Sequence, residues 1–145
     1  MHRLYLMSAH FVLLAACQQG GDENLPGNSD DDQPYSGIAE DAVLELTGTE
    51  PFWNATISGN AMVWRNPEKA DGESVAVERF AGRGGLSFSG ELGGAPLDVL
   101  VTPGTCSDGM SDRTYPFTAT IQMGREQRNG CAWRVGVDED ALGEP

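Results

Sequence analysis

The chain is predicted to be all-β, a small antiparallel barrel of seven or eight strands. Three observations predict it. Apolar side chains recur at every second position through much of residues 43–137, the spacing of half-buried strands. Clusters of Gly, Asn, Asp and Pro interrupt that alternation at short intervals. No window carries a helical period, although residues 107–112 have room for one helical turn. Closing such a sheet removes exposed edges, which favours a barrel. A two-sheet sandwich is the alternative arrangement.

The strands follow in order. Leu44 and Leu46 begin the alternation. Trp53, Ala55 and Ile57 share a face, with Asn54, Thr56 and Ser58 on the other. Val75 and Val77 form the next short run, then Leu86 and Phe88. Leu97, Val99 and Val101 face away from Asp98 and Thr102. Phe117, Ala119, Ile121 and Met123 face away from Thr118, Thr120 and Gln122. Cys131, Trp133, Val135 and Val137 close the series. Turn signals are read at Ser58-Gly59-Asn60, Asn66-Pro67-Glu68, Asp71-Gly72, residues 82–85, Gly93-Gly94, Pro103-Gly104 and Asn129-Gly130. The last two strands are expected to be hairpin neighbours joined by the polar residues 124–129.

Ahead of this domain lies Leu14-Ala15-Ala16-Cys17. His2 and Arg3 give a short positive segment, and Leu4 to Leu14 give an apolar run interrupted by Ser8 and His10. That run is shorter than the roughly 20 residues a membrane helix needs. With the small pair before the cysteine, it has the order of a bacterial lipobox. Residues 1–16 are thus expected to be a signal peptide and Cys17 a lipidated N-terminus. In families with this processing, Gln18 rather than Asp after the cysteine resembles export to the outer membrane, and a position facing the periplasm is the expectation. Residues 17–42, poor in apolar side chains, read as a flexible acidic linker, and 138–145 as a disordered acidic tail.

Charge and cysteines narrow the chemistry. Of the 145 residues, 22 are acidic and 9 basic, for a net charge of −13. Half of the acids fall in the two terminal segments, so the domain itself is nearly balanced. Without a basic patch, nucleic acid is not an expected partner. The expected partners are the bilayer, through acylated Cys17, and an envelope protein or peptidoglycan-related partner. With Cys17 assigned to lipid, Cys106 and Cys131 remain, and an even pair in an oxidising compartment implies a disulfide. Their spacing fits neither a Cys-x-x-Cys redox motif nor a zinc knuckle.

Cleavage before Cys17 removes both histidines, His2 and His10. Ser-His-Asp and Cys-His catalysis are then unavailable, as are imidazole-bound zinc and copper. No cofactor and no metal site is expected. Carboxylate chemistry remains, with Asp108 and Asp112 close enough in sequence to pair. Residues 108–112 lack the ligand ladder of an EF-hand loop.

Two stretches stand out. Glu50, Pro51, Phe52 and Trp53, in Gly48-Thr49-Glu50-Pro51-Phe52-Trp53, read as a strand start in which Trp53 plugs one end of a barrel. Residues 106–116 read as a polar loop pinned by the disulfide, with Asp108, Ser111, Asp112, Arg113 and Tyr115 as candidate ligand contacts. The alternative is internal pairing of Asp108 or Asp112 with Arg113.

Together with Gly130-Cys131-Ala132, these stretches resemble a family of uncharacterised bacterial envelope lipoproteins. The resemblance covers about residues 43–135 and centres on Cys106-Ser107-Asp108-Gly109-Met110-Ser111-Asp112. In setting it is similar to META-domain proteins and to membrane-bound inhibitors of C-type lysozyme. The family implies no established activity. The inhibitor resemblance implies that Ser111 and Tyr115 enter a lysozyme cleft, with Arg125, Arg128 or Arg134 in place of a downstream lysine. The function expected is a membrane-anchored, non-enzymatic binding or envelope-maintenance module. A C-type lysozyme inhibitor and a carboxylate-dependent hydrolase are the alternatives.

Overall fold

Alternation along a strand puts every second side chain on one face of the sheet. Here that face closes on itself. The computed structural model describes residues 32–143. Eight strands follow one another: β1 (Leu44–Thr49), β2 (Phe52–Ser58), β3 (Ala61–Asn66), β4 (Lys69–Ala81), β5 (Leu86–Leu92), β6 (Ala95–Cys106), β7 (Tyr115–Met123) and β8 (Glu126–Arg134). Each pairs antiparallel with the next, and β1 pairs with β8, closing the barrel in the register Leu46↔Ala132. With every strand bonded on both sides, there is one closed sheet and not a sandwich.

The interior is packed with side chains. Leu44, Leu46, Ala55, Ile57, Met62, Val99, Val101 and Ile121 are among those excluded from solvent. Trp53 stacks on Trp64 with ring centroids 5.3 Å apart, and the Arg128 guanidinium lies 5.6 Å from the Trp64 ring. This stack fills the end of the barrel where β2 begins and β3 ends. Trp53 fits because two inward positions beside it carry no side chain. A Cβ at Gly48 would collide with the Trp53 indole nitrogen, and one at Gly130 with the Thr47 carbonyl and the indole ring.

Several expectations change. β3 is an additional strand. Met62-Val63-Trp64 is uniformly apolar, which hides the alternation, and only Met62 and Trp64 face the core. Asp71-Gly72, Pro103-Gly104 and Asn129-Gly130 lie inside strands and not in turns. The register shifts between Pro103 and Cys106, where β6 is irregular. At Gly130 the missing side chain serves close packing, a requirement with the same sequence signature as a turn. Residues 107–112 form bends and no helix. The β7–β8 hairpin is tighter than expected, because both strands extend to leave only Gly124 and Arg125 between them. β8 ends at Arg134, so Val135 and Val137 are exposed.

The terminal segments are also more structured than their composition suggests. Residues 35–42 cross the open end of the barrel. The Tyr35 amide donates to the Gly82 carbonyl at 2.7 Å, Arg79 donates to the Ile38 carbonyl at 3.1 Å, and Ile38 is 2 % exposed. Ile38 is the one large aliphatic residue in this stretch, which composition averages away, and it stoppers the core. The cavity left beneath it is about 10 Å³, room for one water at most. After β8, a 3-10 turn at Glu139–Ala141 folds back. Asp138 is buried and makes a bidentate pair with Arg134, at 2.6 and 2.9 Å. The lipobox, Cys17 and residues 18–31 lie outside the described residues.

Candidate functional site

Residues 107–114 join β6 to β7 and fold across the outer wall of the barrel. Register explains where they rest. Ala132 pairs with Leu46 and Phe117 on the core face, so its neighbour Cys131 points outward. Cys131 is nevertheless buried, because the loop covers it. The disulfide Cys106–Cys131, with Cα atoms 5.6 Å apart, staples the loop to β8. Cys131, Tyr115 and Leu142 form a small apolar cluster outside the main core, with Cys106 and Trp133 packed against it. The Tyr115 and Trp133 rings lie 5.4 Å apart. At one edge the Thr114 amide donates to the Leu142 carbonyl at 3.2 Å. At the other, Thr49 donates its hydroxyl to the Asp108 carbonyl, also at 3.2 Å.

Asp108 organises this loop. Its Oδ1 accepts the amides of Met110 and Ser111, each at 2.9 Å. Its Oδ2 accepts the Ser111 hydroxyl at 2.8 Å and the Tyr115 hydroxyl at 3.0 Å. These donors favour the anion, the two backbone amides most strongly, and hold the carboxyl down to about 2. Burial pushes the Tyr115 phenol above its usual range, and the Asp108 carboxylate adds to that. Ser111 also accepts the Arg113 amide at 3.3 Å. The sequence Asp-Gly-Met-Ser thus closes a turn on its own acidic side chain, as short polar side chains do. Gly109, at φ +72°, supplies the left-handed position in that turn.

The predicted site residues therefore separate. Asp108, Ser111 and Tyr115 come together, with their polar atoms turned to one another and Tyr115 buried. Ser111 and Tyr115 are held in the loop and do not project as a pair toward a cleft. Asp112 stays exposed on the surface and does not share the Asp108 network. Among the described residues no ion pair joins Arg113 to Asp108 or Asp112, and the Arg113 Nε is buried without a hydrogen-bond partner. The arginines expected in place of a downstream lysine are elsewhere. Arg128 covers Trp64 and pairs with Glu126 at 2.6 Å, Arg134 pairs with Asp138, and Arg125 occupies the β7–β8 turn. The loop's crest carries Met110, 68 % exposed.

The Glu50 to Trp53 stretch turns β1 into β2 through a cis Glu50-Pro51 bond. Trp53 is inside and Phe52 is 54 % exposed outside. Phe52 is the cross-strand partner of Thr49, the residue that holds the loop, so the two sequence motifs meet on one side of the molecule. A groove of about 370 Å³ runs between the loop and the wall, lined by Thr47, Thr49, Ser107, Thr120 and Asn129 among others. These strand residues had no distinguishing sequence signal, since outward Thr and Asn are ordinary on a wet sheet face. Only barrel closure, which pairs Thr47 of β1 with Cys131 of β8, brings Thr47 and Asn129 to one groove. No group of three His, Cys, Asp or Glu side chains suited to a metal occurs among the described residues.

No family model, curated protein or solved structure matches this chain. The resemblance to envelope lipoproteins accordingly rests on the quoted motifs.

Proposed function

We propose that this chain is a lipid-tethered protein of the bacterial cell envelope. It sits in the outer membrane facing the periplasm and acts as a non-enzymatic binding module through the loop of residues 106–116. The observation that carries the reading is the internal saturation of Asp108. A carboxylate with both oxygens occupied, ionised down to about pH 2, is poorly suited to donate or take a proton in a reaction at neutral pH. It is well suited to hold a loop in one shape. The disulfide, the Thr49 contact and the Leu142 contact fix the same loop from three sides. Rigid presentation of a loop lowers the ordering cost of binding. Met110 and Asp112 at its surface, with Phe52 beside it, form the contact face, and the filled barrel interior leaves recognition to the outer wall. The lipobox supports the tether and the location.

A photo-crosslinking residue placed at Met110 in the full chain, in cells, tests the loop. A discrete envelope adduct at position 110, weakened when Asp108 is changed to Asn, is the expected result. Adducts that arise equally from the far wall, or that persist unchanged in Asp108→Asn, would contradict it.

A further inference from the structure

The described chain begins on the side of the barrel opposite the loop. Asp32 and Pro34 lie in a groove of about 520 Å³ with Phe80, Ala81, Gly82 and Arg83. These residues end β4 and open the β4–β5 hairpin. In a ring of eight strands, β4 and β5 stand half a circumference from β8 and β1, where the loop 106–116 rests. From Cys17 to Asp32 there are 15 residue steps, a reach of about 50 Å at full extension. Wherever Cys17 is held, the hairpin is the part of the domain to which the anchor is attached.

That side carries an apolar row. Phe80 pairs with Ser87, and Ser87 with Leu100, so the three stand side by side on the outer face of β4, β5 and β6. Phe80 is 67 % and Leu100 50 % exposed. Adjacent strands lie about 4.8 Å apart, which sets the two large side chains roughly 10 Å apart over a small serine. The next row toward the far end is Glu78, Ser89 and Asp98, two carboxylates that belong in water. Below the apolar row comes the hairpin itself, with Gly82, Arg83, Gly84 and Gly85. Apolar side chains between a cation-bearing turn and a line of acids match the polarity gradient of a bilayer surface.

We propose that Phe80, Leu100 and the β4–β5 hairpin form a membrane-facing surface. It rests on the lipid interface beside the anchor and turns the loop 106–116 away from the bilayer. This inference depends on the lipid tether proposed above. The anchor keeps the hairpin at high local concentration near lipid, so a shallow contact of two side chains is enough to bias orientation.

The test uses the full, processed chain in vesicles of phosphatidylethanolamine with a minor share of phosphatidylglycerol. Phe80→Cys and, separately, Met110→Cys are labelled with one environment-sensitive dye, and headgroup spin-labelled lipids serve as quenchers. Quenching several-fold stronger at position 80 is the expected result. Equal quenching, or stronger quenching at 110, in protein whose acyl group is verified by mass overturns the orientation and leaves the tether intact. A chain without an acyl group overturns both. Hydrogen exchange on the unsubstituted protein gives a second readout. Amides of residues 80–87 should be slower on vesicles than in detergent, and no difference would count against the contact.

Discussion

Asp108 shows how a residue chosen for its reactivity can have its capacity used up by structure. Four donors converge on one carboxylate, so replacement by Asn leaves an amide nitrogen facing at least one of them. Because the group is partly solvated, Asp108→Asn is expected to cost about 1–2 kcal/mol in urea unfolding. The pH dependence has a definite sign. A carboxyl held at about 2 when folded and near 4 when unfolded stabilises the fold fully above pH ~4. That stabilisation is lost as pH falls through about 2. Unfolding midpoints measured between pH 5 and pH 2 should decline in the parent protein, with a shallower decline in Asp108→Asn. Gly130 makes a different residue-scale demand. Alanine there meets the Thr47 carbonyl and Trp53 at once, and neither neighbour is free to move. Gly130→Ala is expected to lower stability by about 2–3 kcal/mol, in the range of overpacked cores, visible as a reduced melting temperature.

At the scale of elements, alternation was legible wherever one face of a strand is wet, as in β2, β6 and β7. It was not legible in β3, where Val63 is apolar on the outer face, nor at Asp71-Gly72 and Asn129-Gly130, where glycine serves a strand. The closing segments escaped for another reason. Residues 35–42 and 138–142 form few regular pairings, and each has a single fully buried apolar side chain, Ile38 and Leu142, which composition dilutes. Of the site, the loop and its staple were visible in the motif and the cysteine pair. The supporting wall of Thr47, Thr49 and Asn129 was not, since β1 and β8 are separated by most of the chain. Ile38→Ala should cost about 2–4 kcal/mol, as for a large-to-small change in a core. A solvated linker would lose nothing, and chemical denaturation distinguishes the two. Replacing Cys106 and Cys131 together by Ala should cost roughly 3–4 kcal/mol and speed hydrogen exchange in residues 107–114 ahead of the barrel strands.

The whole molecule is a closed barrel with a stapled loop on one wall and, on the other, the proposed point of attachment. Both barrel ends are filled, one by the Trp53–Trp64 stack under Arg128 and the other by Ile38, which leaves the outer surface for the proposed binding role. The chemistry available depends on the first residue of the mature chain, because the proposed cleavage before Cys17 would remove His2 and His10 together. Intact-mass and peptide mass spectrometry of the protein taken from the cell envelope therefore decides between a processed, tethered chain and an unprocessed one. A chain that begins at an acylated Cys17, with residues 1–16 absent, is the expected result. An unprocessed, unacylated N-terminus that retains both histidines would contradict it.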